Sequence, residues 1–182
     1  MATYMMLYTA PDNHLEFLKN NPALFDSYLG GEMPDLSPGF FSRLLGKQPP
    51  ELPDDWPRHE LEAHSPEISH RQVNAFHYIL NGTNDYVENV GSIFQTWFRP
   101  RHNSPAIVID GENFAFLNRD VKHLLALITA LPPALKHKRM DDSRDVSEIH
   151  GGHEFVEHAF DVVEKACDAA VSKGQGLLWT NR

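Results

Sequence analysis

Only one cysteine, Cys167, occurs in the 182 residues. No disulfide can form within such a chain, and that fits a reducing compartment. Long apolar runs are missing as well. No stretch approaches the roughly 20 residues a membrane-spanning helix needs, so no membrane association is expected. The residues from Met1 to Tyr8 carry no basic charge and are too few, before Pro11, for the apolar stretch and cleavage site of a secretory signal. Together these features predict a cytoplasmic protein.

Positive charge is scarce. Sixteen Lys and Arg stand against 25 Asp and Glu, a formal net charge of −9. A surface of that sign repels nucleic-acid phosphates and anionic lipids and favours a basic protein partner. The basic spots Arg99-Pro100-Arg101 and Lys136-His137-Lys138-Arg139 are too short to reverse the field, so no nucleic-acid partner is expected.

Catalytic signatures are absent too. Ser42, Ser92 and Ser104 lack a Gly-x-Ser-x-Gly elbow, and the glycines form neither a phosphate loop nor a dinucleotide fingerprint. Asp141, Asp142 and Asp145 lack the calcium-loop pattern. Cys167 falls on an apolar helical stripe, where a thiol is a small hydrophobe rather than a nucleophile. No catalytic residue and no cofactor emerges.

Hydrophobic residues make up 41% of the chain, too many for a disordered protein. The length suits a single domain over residues 1–182, able to bury a core without metal or disulfide. Residues 3–9 read as a strand stopped by Pro11, and Asp12 or Asn13 as the start of a short helix with Leu15 and Leu18 inward. Pro22 restarts a helix through Leu24, Phe25, Tyr28 and Leu29, closed by Gly30-Gly31. Residues 68–81 read as a helix, since Val73, Phe76, His77 and Leu80 follow the spacing of a helical face that ends at Asn81-Gly82. Residues 86–98 suggest a further helix or a helix leading into a loop. Short strands are expected at Ala106 to Ile109 and Phe114 to Phe116. Asn118 is expected to cap a helix bearing Val121, Leu124, Leu125, Ile128 and Leu131, which Pro132-Pro133 would end. Residues 136–152 read as loop or frayed helix, 153–172 as the longest helix, with Phe155 on its apolar stripe, and Leu177 to Trp179 as a last strand. The order does not alternate strand and helix. It predicts an α+β domain with a small mixed sheet, its terminal strands adjacent, flanked by several helices.

Residues 32–67 differ from the rest. More than half of the 13 prolines lie between Pro34 and Pro66, and Glu51, Asp54, Asp55, Glu60 and Glu62 make the stretch acidic. It reads as a proline-rich acidic loop or insertion, with a short helix at residues 40–45 and Phe40, Phe41 and Trp56 as anchors. Long loops of this kind carry function more often than the elements they join.

The segment Val73-Asn-Ala-Phe-His-Tyr-Ile-Leu-Asn-Gly82 resembles the central helix of the YfbM-like family, a domain of unknown function in bacterial proteins, which typically reads W-x-x-L-H-F-L-L-T-G. His77, Leu80 and Gly82 match. Phe116 to Val121 is similar to the family's Y-L-S-P-E-E-V helix start, and Ala169, Lys173-Gly174 and Leu177-Leu178 to its closing A-A-x-x-G-x-x-V-L. Residues 32–66 have no counterpart, and His150-Gly-Gly-His153 stands where the family carries tyrosine-proline. The resemblance implies an α+β fold and no established reaction.

His150, His153 and His158 are candidate metal ligands, although 153 and 158 are five apart where a shared helical face needs four. His77 lies on the apolar stripe and must satisfy its ring nitrogens there, either as a fixture of the core or as a base beside a pocket. The expectation is a non-enzymatic binding protein whose Asp54, Asp55, Trp56, Glu60, Glu62 and His77 form the contact region. Its partner would be a basic protein such as a toxin domain, making this chain an immunity protein. The alternative is an enzyme with its pocket near His77 or near His150 and His153.

Overall fold

A computed structural model describes residues 4–36, 49–64, 68–92, 105–148 and 151–181. The fold is α+β. Five strands, β1 (Tyr4–Ala10), β2 (Ile68–Ser69), β3 (Ile107–Val108), β4 (Phe114–Phe116) and β5 (Gly176–Asn181), form one sheet in the order β2-β1-β5-β4-β3. The two ends of the chain meet at its centre, where Leu7 faces Trp179 across the β1–β5 ladder. Every described strand pair is antiparallel, which corrects the mixed sheet expected from sequence. A parallel pair needs a crossover connection between neighbouring strands. Here β3 and β4 join through a tight turn, and the neighbouring strands joined through helices, β1 with β2 and β4 with β5, run in opposite directions.

The sheet is buried on both faces, so Leu7 and Tyr8 are both inside although they point opposite ways. On one face Met5, Leu7, Phe114, Phe116, Leu177 and Trp179 meet α3 (His70–Asn81), α4 (Asn118–Ala130) and α7 (Gly152–Ser172). The Trp179 indole stacks on Phe114 with ring planes 9° apart and centroids 5.6 Å apart. The apolar stripe of α7, from Val156 to Ala170, lies inward, and burial pushes the Cys167 thiol up to about 12. Phe155, at the edge of that stripe, is half exposed instead. On the other face Tyr8, Ala10, Ala115 and Leu178 meet α1 (Asp12–Asn20), α2 (Phe25–Gly30) and Trp56.

Three local expectations change. Asn118 does not cap α4: it is the first helical residue, and its backbone N–H donates to Asp12 Oδ1 at 2.9 Å, so the cap comes from the start of α1. Pro132-Pro133 ends α4 but also opens α5 (Pro133–Asp142), because a proline in the first helical turn forfeits no internal hydrogen bond. The polar stretch after it is therefore helical, with α6 (Arg144–Glu148) following. Arg139 of α5 donates to the carbonyls of Ile79 and Leu80 at 2.7 and 2.9 Å, satisfying the open end of α3. Residues 86–92 form turns rather than a helix. The Asn81 side chain donates to the Gly91 carbonyl at 2.9 Å and Asn89 receives the Gly91 N–H at 2.7 Å, so side-chain amides take the place of helical bonds. The helix expected at residues 40–45, the anchors Phe40 and Phe41, and residues 93–98 lie outside the described residues.

Candidate functional site

The helices α1 and α2 are short, 9 and 6 residues. They leave part of the second sheet face to residues 49–64, which cross it as a strap. Leu52, Leu61 and Ala63 pack against the same apolar cluster as α1 and α2. Trp56 is the strap's anchor. It is 5% exposed, and its indole N–H donates to the Glu32 carbonyl at 2.9 Å. Its ring meets Tyr28 and Phe17 edge-on, with centroids 5.1 and 5.9 Å apart. Backbone bonds fix the strap further along: Leu61 N–H donates to Leu29 O at 2.9 Å, and His64 N–H to Leu7 O at 2.7 Å. At Gly31, with φ of 67°, the strap passes so close that a Cβ would stand 2.0 Å from the His59 carbonyl carbon.

A chain of polar groups, buried at His14 and Tyr28 and exposed at Asp55, ties α1 and α2 to the strap. His14 is 2% exposed; its Nε2 is 2.6 Å from Asp55 Oδ1, and its Nδ1 is 3.0 Å from Tyr28 Oη. The hydrogen bond from His14 holds the Asp55 carboxyl below the usual range, so that carboxyl is ionised and acceptor-only at neutral pH. In the neutral imidazole, Nε2 then carries the proton and Nδ1 accepts from the Tyr28 hydroxyl. Burial, and to a lesser extent the Asp55 charge, push the Tyr28 phenol well above its ordinary value. The chain works as a lock, since Tyr28 and His14 are shut away from solvent.

The sequence candidates therefore separate into two kinds. Trp56 and Asp55 hold the strap down. Asp54, Glu60 and Glu62 are exposed and point away from the core. His77 lies on the opposite side of the sheet, fully buried in α3. Its Nε2 is 3.1 Å from the Asp85 carbonyl, which ties the turns after α3 to the helix, and its Nδ1 is 3.4 Å from Asn81 Nδ2 at the end of α3, so both nitrogens are engaged. His153 and His158 are exposed on α7, with His153 Nε2 3.2 Å from Asp141 Oδ1, and His150 lies outside the described residues. Among the described residues no group of three or more His, Cys, Asp or Glu could hold a metal ion.

Burial lowers the His77 pKa, with carbonyl hydrogen bonds opposing in part; burial also leads in lowering that of His64. Both rings are favoured neutral in the fold. Below the unfolded value of about 6.5, the unfolded chain binds protons that the fold refuses, so stability drops as pH falls. Urea midpoints should therefore decline between about pH 7.5 and 5.5, and His77→Asn should flatten that decline. An unchanged slope in the variant would contradict the buried-neutral assignment.

Sequence reasoning missed His14, Tyr28 as a polar partner, and a concave feature beside the strap. That cleft, about 540 Å³, is lined by Thr9, Leu61, Glu62, His64, Lys173 and Gln175. His14 did carry a signal, since it adjoins Leu15 and is one helical turn before Leu18 on the face that α1 buries. No helix among the described residues is long and apolar enough to cross a membrane. Comparison with protein-family models, with curated proteins and with solved structures finds no match for this chain.

Proposed function

We propose that this chain is a non-enzymatic binding protein of the cytoplasm that docks a basic protein through the acidic strap, its concrete form being an immunity protein that neutralises a toxin domain. One observation carries the reading. The strap is pinned by Trp56 and by the Asp55–His14 bond, yet Asp54, Glu60 and Glu62 remain exposed. Carboxylates on a backbone that is already ordered bind without first losing backbone freedom, which favours affinity. A net charge of −9 adds long-range attraction for a cationic partner and repulsion for nucleic acid.

The test separates docking from folding. Asp55 is left intact because it holds His14, and Glu62 because it lines the cleft. The double variant Asp54→Lys with Glu60→Lys should keep its stability. Affinity capture from the native host, read by mass spectrometry, should return one stoichiometric basic protein with the wild type. The variant should associate with it at least about tenfold more slowly at low salt. Equal association by the variant would contradict docking through the strap.

A further inference from the structure

The cleft at the end of the strap brings together three elements that are distant in sequence. Thr9 comes from the end of β1, Glu62 and His64 from the strap, and Lys173 and Gln175 from the turn between α7 and β5. Each is held by its backbone. His64 N–H is bonded to Leu7 O. The α7–β5 turn is closed by bonds from the N–H groups of Lys173, Gly174 and Gln175 to Ala169, Val171 and Ala170. The imidazole sits in the wall with Nε2 3.2 Å from Thr9 Oγ1.

Among the described residues the two charges of the cleft are not paired with opposite charges. Among the described residues neither Lys173 nor Glu62 forms an ion pair or a side-chain hydrogen bond, and the Gln175 amide makes none. Yet both charges act on the same imidazole with opposite sign, Lys173 lowering the His64 pKa and Glu62 raising it. An ammonium and a carboxylate thus face one small polar space without meeting each other. Lys173 also suits the negative end of α7, and that accounts for its charge but not for the carboxylate opposite.

The volume, about 540 Å³, is that of a small-ligand site. Its chemistry selects among small ligands. A free anion would find one lysine but would approach against Glu62 and a net charge of −9. A free cation would meet Lys173. A molecule carrying both charges pairs each with its complement and, having no net charge, is neither attracted nor repelled at long range. We propose that this cleft binds a small zwitterion of the amino-acid or short-peptide class, its carboxylate on Lys173 and its ammonium on Glu62, with Thr9, His64 and Gln175 offering hydrogen bonds between them.

The experiment is an NMR titration of the intact protein, following the backbone amides of His64, Lys173 and Gln175. The probes are glycine, β-alanine, γ-aminobutyrate and diglycine, which differ in the separation of their charges, with acetate and methylammonium as single-charge controls. At least one zwitterion should saturate with a dissociation constant on the order of 1 mM or tighter, and the controls should bind at least about tenfold more weakly. Lys173→Gln and Glu62→Gln are both on exposed side chains, so each should stay folded and weaken the zwitterion about tenfold. No saturable shift with any zwitterion would overturn the proposal. Acetate binding as tightly as the best zwitterion, or a Glu62→Gln variant that binds it unchanged, would do so equally.

Discussion

Gly31→Ala should lower stability by on the order of 3 kcal/mol or more and free the strap from the sheet. Two separate costs add at this position. The backbone is left-handed there, with φ of 67°, which costs a Cβ-bearing residue roughly 1 to 2 kcal/mol. The larger cost comes from space. The new Cβ would lie 2.0 Å from the His59 carbonyl carbon and 2.1 Å from its oxygen, both backbone atoms with no rotamer by which to move aside. Either the αL turn at the end of α2 or the strap must shift. Because the α2 turn is closed by bonds from Gly31 and Glu32 to Tyr28 and Ser27, the strap is the part that yields. Limited proteolysis should then cut between Leu52 and His64 in the variant and spare the wild type.

Trp56→Ala should be the most damaging single truncation on that face of the sheet, at about 3 to 5 kcal/mol. Removing the indole empties the space between Phe17 and Tyr28 and deletes two edge-on ring contacts. It also leaves the Glu32 carbonyl without the donor it has at 2.9 Å. Trp56→Phe loses the N–H and part of the ring but keeps most of the packing, so it should cost clearly less than the alanine variant. Chemical denaturation checks both. The double variant with Gly31→Ala supplies a stricter test. Once one substitution has released the strap the other has little left to disrupt, so the two losses should fall well short of additive. Full additivity would mean that Gly31 and Trp56 do not act on one unit.

The α+β class and most elements were legible in sequence because their signals are local. The 3.6-residue spacing of Val73, Phe76 and Leu80 and the Gly82 stop gave the end of α3 to the residue, but its expected first two residues, Ile68 and Ser69, form β2, with Ser69 capping the helix. The aromatic run from Tyr4 gave β1. What was not legible depends on partners far away in the chain. Asp12 caps α4 across 106 positions, so the sequence around Asn118 could not show it. Arg139 closes α3 across about 60 positions, a contact that a stretch reading as loop or frayed helix could not show. Proline density marked the strap as irregular, which it is, but could not show that Trp56, Leu52 and Leu61 complete the cover of the second sheet face. The zwitterion cleft escaped for the same reason, since Thr9, Glu62 and Lys173 meet only through the tertiary fold.

The central claim is that residues 49–64 belong to the folded core rather than hanging from it. Native-state hydrogen exchange at the Trp56, Leu61 and His64 amides tests this directly, since all three donate to backbone carbonyls, two of them on α2 and β1. The account predicts protection comparable to that of the β1 and β5 amides, with opening free energies close to the global value. Exchange of these three amides at the rate of an unstructured peptide, while β1 and β5 stay protected, would contradict it.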